Sequence, residues 1–137
     1  MLNTNIINKN PKLLSPLTLA FLGDAVFEVL VREDIVLQNG SMPPNSLHKQ
    51  SVTLVNAASQ AKAVKFILQN LNQDELQIYK RGRNADSATV PKHCSAADYH
   101  SATGLECLFG YLYLLGENKR LNELFTLIKG ADQHAKN

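Results

Sequence analysis

Tryptophan is absent from this sequence of 137 residues, cysteine occurs only twice, and neither sign of charge dominates. The two cysteines, Cys94 and Cys107, are too few for the disulfide framework of a small secreted domain, which favours a reducing compartment. The 14 basic and 12 acidic residues give a net charge of +2, which excludes a polybasic protein that coats nucleic acid by charge alone. Any contact with nucleic acid must therefore come from a local basic patch.

Long hydrophobic runs are lacking as well. The longest apolar stretches, Leu17 to Leu22 and Leu108 to Leu115, are far shorter than the roughly 20 residues that cross a bilayer. The Asn-rich segment before Pro11 carries no charged stretch followed by an apolar run, so it does not resemble a signal peptide. We therefore expect a cytoplasmic protein without a membrane segment.

The hydrophobic residues make up 45% of the chain and recur at helical spacing almost throughout. This pattern predicts an all-α domain with five or six helices. We place the domain at residues 15–130, after an N-terminal extension of residues 1–14 and before a C-terminal tail of residues 131–137. The predicted helices cover residues 15–38, 46–71, 73–81, 96–115 and 118–129, with a loop at residues 82–95.

Two acidic residues interrupt apolar helical segments far apart in the chain. Asp24 lies in LTLAFLGDAVFEVLV, a segment apolar on nearly every side, and Glu106 lies in LECLFGYLYLLG. Helices of this kind are normally buried, and a buried carboxylate is costly unless it is paired, hydrogen-bonded or bound to a metal. Glycines accompany both acids: Gly23 precedes Asp24, and Gly104 and Gly110 flank Glu106. Helix crossings at these glycines would bring the two acids together.

Two converging carboxylates suit a hard divalent cation. Mg²⁺ takes one or two protein carboxylates and keeps its waters for a phosphate substrate, and Mn²⁺ is a plausible substitute. Such a cation lowers the pKa of a bound water and neutralises charge on a phosphodiester. The alternative, a structural role for each acid, stays open from the residues alone. Glu28 we interpret as structural, paired with Arg32 one helical turn later.

The densest positive cluster follows Tyr79 and continues past Pro91. Segment 80–92 carries a net charge of +3, which exceeds that of the whole chain. An arginine in a glycine-containing loop can bind two phosphate oxygens at once. The scarcity of aromatic residues here favours contacts to the backbone of a duplex over base stacking on single strands. A solvated surface loop is the alternative reading. The candidate RNA-binding residues are Lys80, Arg81, Arg83, Asn84 and Lys92.

Three blocks of the sequence resemble a known family. FLGDAV at residues 21–26, with Glu28 following, resembles the signature of ribonuclease III catalytic domains, and ATGLECLFGYL at residues 102–112 resembles the family's second acidic helix. KRGRNA at residues 80–85 and the short chain resemble Mini-ribonuclease III, the bacterial branch without a double-stranded-RNA-binding domain. The blocks come in the family's order, and the resemblance as a whole covers about residues 17–128.

The resemblance implies an all-helical homodimer that cleaves double-stranded RNA with Mg²⁺. Asp24 and Glu106 match the family's metal-associated acids and are the expected catalytic residues. At two further acidic positions of full-length relatives this chain has Ala20 and Thr103, the reduced set of the Mini-ribonuclease III branch. Asp86 stands where a basic residue is expected. The implied substrate is the paired stem formed by the ends of precursor 23S ribosomal RNA.

Two rival functions belong to other classes. The reduced number of acids is compatible with a non-catalytic double-stranded-RNA-binding module that keeps a relic site. A helical protein-interaction domain without any nucleic-acid role is the second rival, and it predicts no dependence of RNA binding on salt.

Overall fold

The computed structural model describes residues 10–86 and 90–136, and within them it contains helices and no strands. A short 3₁₀ turn, Pro11–Leu13, precedes the first helix, and a second one, Leu68–Asn70, follows the third. The predicted all-α fold is confirmed. The six helices are α1 (Pro16–Asn39), α2 (Pro44–Val55), α3 (Ala57–Ile67), α4 (Gln73–Arg83), α5 (Ala96–Leu114) and α6 (Asn118–Lys136).

Helix α5 is the centre of the fold and packs against α1, α3, α4 and α6. Its side chains Leu105, Leu108 and Phe109 are fully buried. Phe109 meets Phe27 of α1 in a tilted arrangement with ring centroids 5.5 Å apart. Burial of such large apolar side chains contributes roughly 1.5–3 kcal/mol each, so α5 holds the other helices in place around it.

The helix ends follow local sequence signals. Gly40 adopts φ +64° and donates its N–H to Val36 O, which ends α1 where the sequence predicted. Asn72 and Glu75 form a reciprocal capping box at the start of α4. Ser95 accepts a hydrogen bond from the Asp98 amide and caps α5.

The predicted single helix over residues 46–71 is wrong, because Asn56 divides it. Asn56 has φ −72° and ψ 159°, an extended conformation. Its side-chain oxygen accepts from the Ser59 amide at 2.9 Å, and its side-chain amide donates to Val52 O and Thr53 O. Because asparagine satisfies backbone groups in this way, it ends one helix and caps the next.

Two further predicted boundaries differ from the structure. Helix α6 continues to Lys136 rather than ending at Gly130, and a glycine alone does not stop a helix because its cost is at most about 1 kcal/mol. Helix α4 extends to Arg83, and Gly82 lies inside it, buried, rather than in a loop. The division of the chain at residues 15 and 130 stays a prediction.

Helix α1 is buried on one side only, so the prediction of burial all round is wrong. Leu19 and Phe27 are buried, whereas Phe21 is 85% exposed, and Asp24 and Ala25 are also exposed. The apolar residues of α1 therefore divide between the core and an open surface.

Candidate functional site

Helices α1 and α5 cross in backbone contact at two glycines. A Cβ atom on Gly23 would lie 1.6 Å from Glu106 O, and one on Gly110 would lie 2.0 Å from Leu19 O. No residue larger than glycine fits either place without moving a helix. The predicted crossing is therefore confirmed for Gly23 and Gly110.

Gly104 has a different partner from the predicted one. A Cβ atom there would lie 2.8 Å from Tyr79 O of α4, and one on Gly82 would lie 2.9 Å from the Gly104 Cα. Helix α4 thus packs on α5 through a second pair of glycines. In the sequence, Gly82 was the signal for this contact, but the turn-prone residues around it led to the prediction of a loop.

The α1–α5 crossing brings Asp24 and Glu106 together. Asp24 is exposed and Glu106 is half-buried, and their carboxyl groups lie within hydrogen-bonding reach of each other. Burial, together with the hydrogen bond and the negative charge of Asp24, raises the pKa of Glu106 to about 8. The two carboxyl groups are therefore electrostatically coupled.

The carboxylate pair fits a divalent cation. Burial and Asp24, and no protein cation, account for the raised pKa of Glu106, and oxygen is the donor that Mg²⁺ prefers. Within residues 10–86 and 90–136 no group of three or more His, Cys, Asp or Glu side chains forms a potential metal site. The pair would leave most coordination positions to water and substrate, as Mg²⁺ sites commonly do.

Ala20 and Thr103 add no carboxylate to this pair. Both are buried, with exposed fractions of 8% and 7%. Thr103 donates its hydroxyl to Tyr99 O at 3.0 Å within α5. The hydroxyl proton of Thr103 is therefore used in a hydrogen bond to the helix backbone.

Glu28 lies outside the acidic pair, as predicted. Its Oε1 accepts from Arg32 Nη2 at 2.7 Å and from Nε at 3.1 Å. The interpretation of Glu28 as a structural partner of Arg32 is confirmed.

The predicted basic loop is in large part the last turn of α4. Lys80, Arg81 and Arg83 are helical, Asn84 follows the helix, and Lys92 lies in the loop to α5, of which residues 87–89 fall outside the described parts. Basic residues in the last helical turn complement the helix dipole, which explains why the helix continues. Gly82 packs on α5 at Cys107, next to Glu106. The basic end of α4 therefore adjoins the helix that carries the acid.

These basic residues differ in their surroundings. Lys80 and Lys92 are exposed. Arg83 lies over the buried ring of Tyr79, 5.8 Å from its centroid, and donates Nε to the Asn84 side chain. Arg81 donates from both terminal nitrogens to backbone oxygens, Lys12 O at 2.8 Å and Leu14 O at 3.1 Å. Arg81 is thus already engaged within the protein.

A second charged cluster lies at the other end of α4. Arg120 binds both carboxylate oxygens of Glu75 at 2.8 Å and also contacts Glu123. Burial acts to raise the pKa of Glu75, but hydrogen bonds from Arg120 and the Asn72 amide hold that pKa below its usual range. This ion pair joins α6 to α4 and was not foreseen from the sequence, because its members lie 45 positions apart.

The helical fold, the glycine crossing and the acidic pair together define a ribonuclease III domain, and the sequence model of the family described as Ribonuclease III domain matches residues 17–117. Mini-ribonuclease 3 of Thermoanaerobacter sp. is 47% identical over 126 residues, which cover 91% of this chain and 88% of that protein. Mini-ribonuclease 3 of Clostridium tetani is 43% identical over 117 residues, which cover 85% and 78%.

A solved structure has the same fold. Protein FN1578 from Fusobacterium nucleatum is 32% identical, with a TM-score of 0.80 over 91% of this chain and 99% of that chain. The chain belongs to the Mini-ribonuclease 3 branch of the ribonuclease III family. It is accordingly an endoribonuclease of that family.

Proposed function

We propose that this endoribonuclease cleaves double-stranded RNA in a reaction that depends on Mg²⁺, with Mn²⁺ as a substitute. The observation that carries the proposal is the convergence of Asp24 and Glu106 at the α1–α5 crossing. These two residues would hold the cation, which would supply Lewis-acid stabilisation of charge at the scissile phosphate. The open side of Asp24 gives the phosphate access, and the burial of Glu106 limits competing water around the pair.

The basic end of α4 is the proposed contact to the RNA backbone. Lys80 and Lys92 are exposed, and Arg83 and Asn84 adjoin them. Because Tyr79 is 3% exposed and packs inside the protein, its ring is not open to base stacking. Phosphate contacts along a duplex suit such a surface.

We further propose that two copies associate through an apolar strip formed by Leu13, Leu17 and Phe21. Phe21 is 85% exposed, Leu13 81% and Leu17 41%, and exposed apolar groups in a row are typical of interfaces. Phe21 lies three positions before Asp24, so the strip borders the acidic pair on α1. A twofold assembly would present two sites to a duplex and double the phosphate contacts.

Family resemblance supports a particular duplex, the paired stem formed by the ends of precursor 23S ribosomal RNA. A cytoplasmic location agrees with this substrate and with the free thiols of Cys94 and Cys107. Cleavage of a transcript that contains this stem, against a transcript of equal length in which one strand is mutated to prevent pairing, tests the substrate. Equal cleavage of both transcripts would contradict it.

The acidic pair is tested by Asp24→Asn and Glu106→Gln in a cleavage assay on duplex RNA with Mg²⁺, and with EDTA as the metal-free arm. We expect each variant to lose about a hundredfold or more of the cleavage rate, since the bound cation is worth several kcal/mol of transition-state stabilisation. Both replacements keep the shape of the side chain, so helicity and RNA binding should be retained.

Glu28→Gln is the matched control, because it removes a carboxylate from the same helix outside the pair. Its cleavage rate should equal that of the wild type. Undiminished cleavage by either site variant would contradict the metal site. Duplex binding by the wild type without products in Mg²⁺ would support the non-catalytic module instead.

A further inference from the structure

Residues 10–14, here called the N-terminal strap, contact α5 and are bonded to side chains near both ends of α4. Near the start of α4, Lys12 Nζ pairs with Asp74 at 3.1 Å. At the other end, Arg81 donates one terminal nitrogen to Lys12 O and the other to Leu14 O. Pro11 is buried within the strap. A single arginine thus binds the strap backbone at two points.

The acceptors of Arg81 explain why arginine is needed there. The two carbonyls belong to residues two positions apart, and the planar fork of a guanidinium reaches both at once. A lysine ammonium is a point charge on a flexible stem and holds one such acceptor well. The geometry is that of a backbone clamp rather than of a side chain left open for phosphate.

The strap carries one end of the apolar strip. Leu13 is 81% exposed and lies between the two carbonyls that Arg81 binds. Four positions later Leu17 begins the helical part of the strip, so the chain limits the Leu13–Leu17 separation to about 14 Å. With the clamp in place, Leu13 is presented to a second copy without the entropy cost of ordering a loose segment.

We infer that Arg81 is a positioning residue of the dimer interface and not an RNA ligand. It fixes the strap and thereby Leu13, and through the dimer it supports cleavage of the duplex. The inference rests on the proposed association through the apolar strip. Arg81 and its neighbour Lys80 are both exposed on the same helical turn, and Lys80, which takes no part in the clamp, keeps the role of a phosphate contact.

The test compares Arg81→Gln, Arg81→Lys and Lys80→Gln with the wild type. Sedimentation gives the dimer dissociation constant, and binding of duplex RNA over a range of salt gives the number of phosphate contacts. We expect Arg81→Gln to raise the dimer dissociation constant about tenfold and, at protein concentrations above that constant, to leave the salt slope unchanged. Arg81→Lys should fall between it and the wild type. Lys80→Gln should lower the salt slope by about one for each site and leave the dimer intact.

Two readouts separate positioning from a general loss of structure. The cleavage deficit of Arg81→Gln should disappear when the protein concentration exceeds its dimer dissociation constant, which a folding defect or a lost phosphate contact would not allow. Leu13→Ser should weaken the dimer to a similar extent. The double variant with Arg81→Gln should have a dimer dissociation constant no higher than that of the more affected single variant, because both substitutions act through one contact.

Several results would overturn the inference. A reduced salt slope with an intact dimer would make Arg81 an RNA ligand, and additive effects of Arg81→Gln and Leu13→Ser would break the link between them. If neither the dimer dissociation constant nor the salt slope changed, Arg81 would have no role in association. A wild type that stays monomeric at all concentrations would contradict the proposed dimer itself, while the assay with Mg²⁺ tests the nuclease site separately.

Discussion

At the scale of single residues, Glu106 is the acid whose surroundings change its protonation most clearly. Its pKa of about 8 lies well above the ordinary 4.5 because of burial and the neighbouring Asp24. Between these two pH values the folded protein holds a proton that the unfolded chain has released. In the metal-free protein the free energy of unfolding therefore falls as pH rises from 4.5 to 8, by at most about 1.4 kcal/mol per pH unit from this group.

The proposed binding of Mg²⁺ at Asp24 and Glu106 would displace this proton, so the stabilising effect of Mg²⁺ should grow with pH. We expect a larger rise in the urea midpoint on adding Mg²⁺ at about pH 9 than at about pH 6, measured by helical circular dichroism. Glu106→Gln has no proton to release, and its response should not differ between the two pH values. An equal rise in the urea midpoint of the wild type at both pH values would contradict the assignment of Glu106 as a ligand.

At the scale of secondary-structure elements, the α1–α5 crossing depends on the missing side chains of two glycines. We expect Gly23→Ala to destabilise the fold by about 3 kcal/mol or more, because its Cβ would meet the backbone of Glu106. Cleavage should fall even where the variant is folded, since separating the helices separates the acids. Urea unfolding and the duplex assay measure both effects.

Gly130→Ala is the matched control within a helix. Among the described residues, no atom outside the neighbouring backbone of α6 lies within 4 Å of a Cβ placed there. The change should therefore stabilise α6 by about 0.5–1 kcal/mol through the helix propensity of alanine. A loss of stability in Gly130→Ala equal to that in Gly23→Ala would show that the close approach at Gly23 is not the cause.

The elements also show what the sequence could and could not reveal. Local signals were sufficient for the capping box at Asn72 and for the end of α1 at Gly40, because both depend on neighbours in the chain. The convergence of Asp24 and Glu106 was foreseeable from the glycines beside them. The partner of Gly104 and the clamp made by Arg81 were not, because each depends on which elements become neighbours in space.

The exposed side of α1 shows the same limit of prediction from sequence. From sequence, an apolar helix with two acids indicated a buried helix. The structure leaves Phe21 and Asp24 open within a single chain, since apolarity predicts that a surface will be covered but not whether its own chain or a second copy covers it. The homodimer implied by the resemblance therefore stays a prediction.

At the scale of the whole molecule, association should depend on Phe21. Burying a phenylalanine ring contributes roughly 2 kcal/mol, and a twofold interface contains it twice. We expect Phe21→Ser to weaken the dimer about a hundredfold or more, as measured by sedimentation. Within the described residues no helix is long and apolar enough to span a membrane.

Phe66→Ser is the matched control for this experiment. Phe66 is 49% exposed on α3, outside the strip. Its replacement should leave the dissociation constant unchanged. The position of the interface would be wrong if Phe66→Ser dissociated the dimer and Phe21→Ser did not.

The contact between Gly23 and Gly110 has a consequence for engineering this nuclease. Because main chain meets main chain there, the spacing of the two acids does not depend on the size of any packed side chain at that point. Libraries that redesign the core away from this crossing for heat resistance, or that vary the exposed Lys80 and Lys92, therefore leave the proposed acidic site in place. The two glycines are the positions that such libraries should leave fixed.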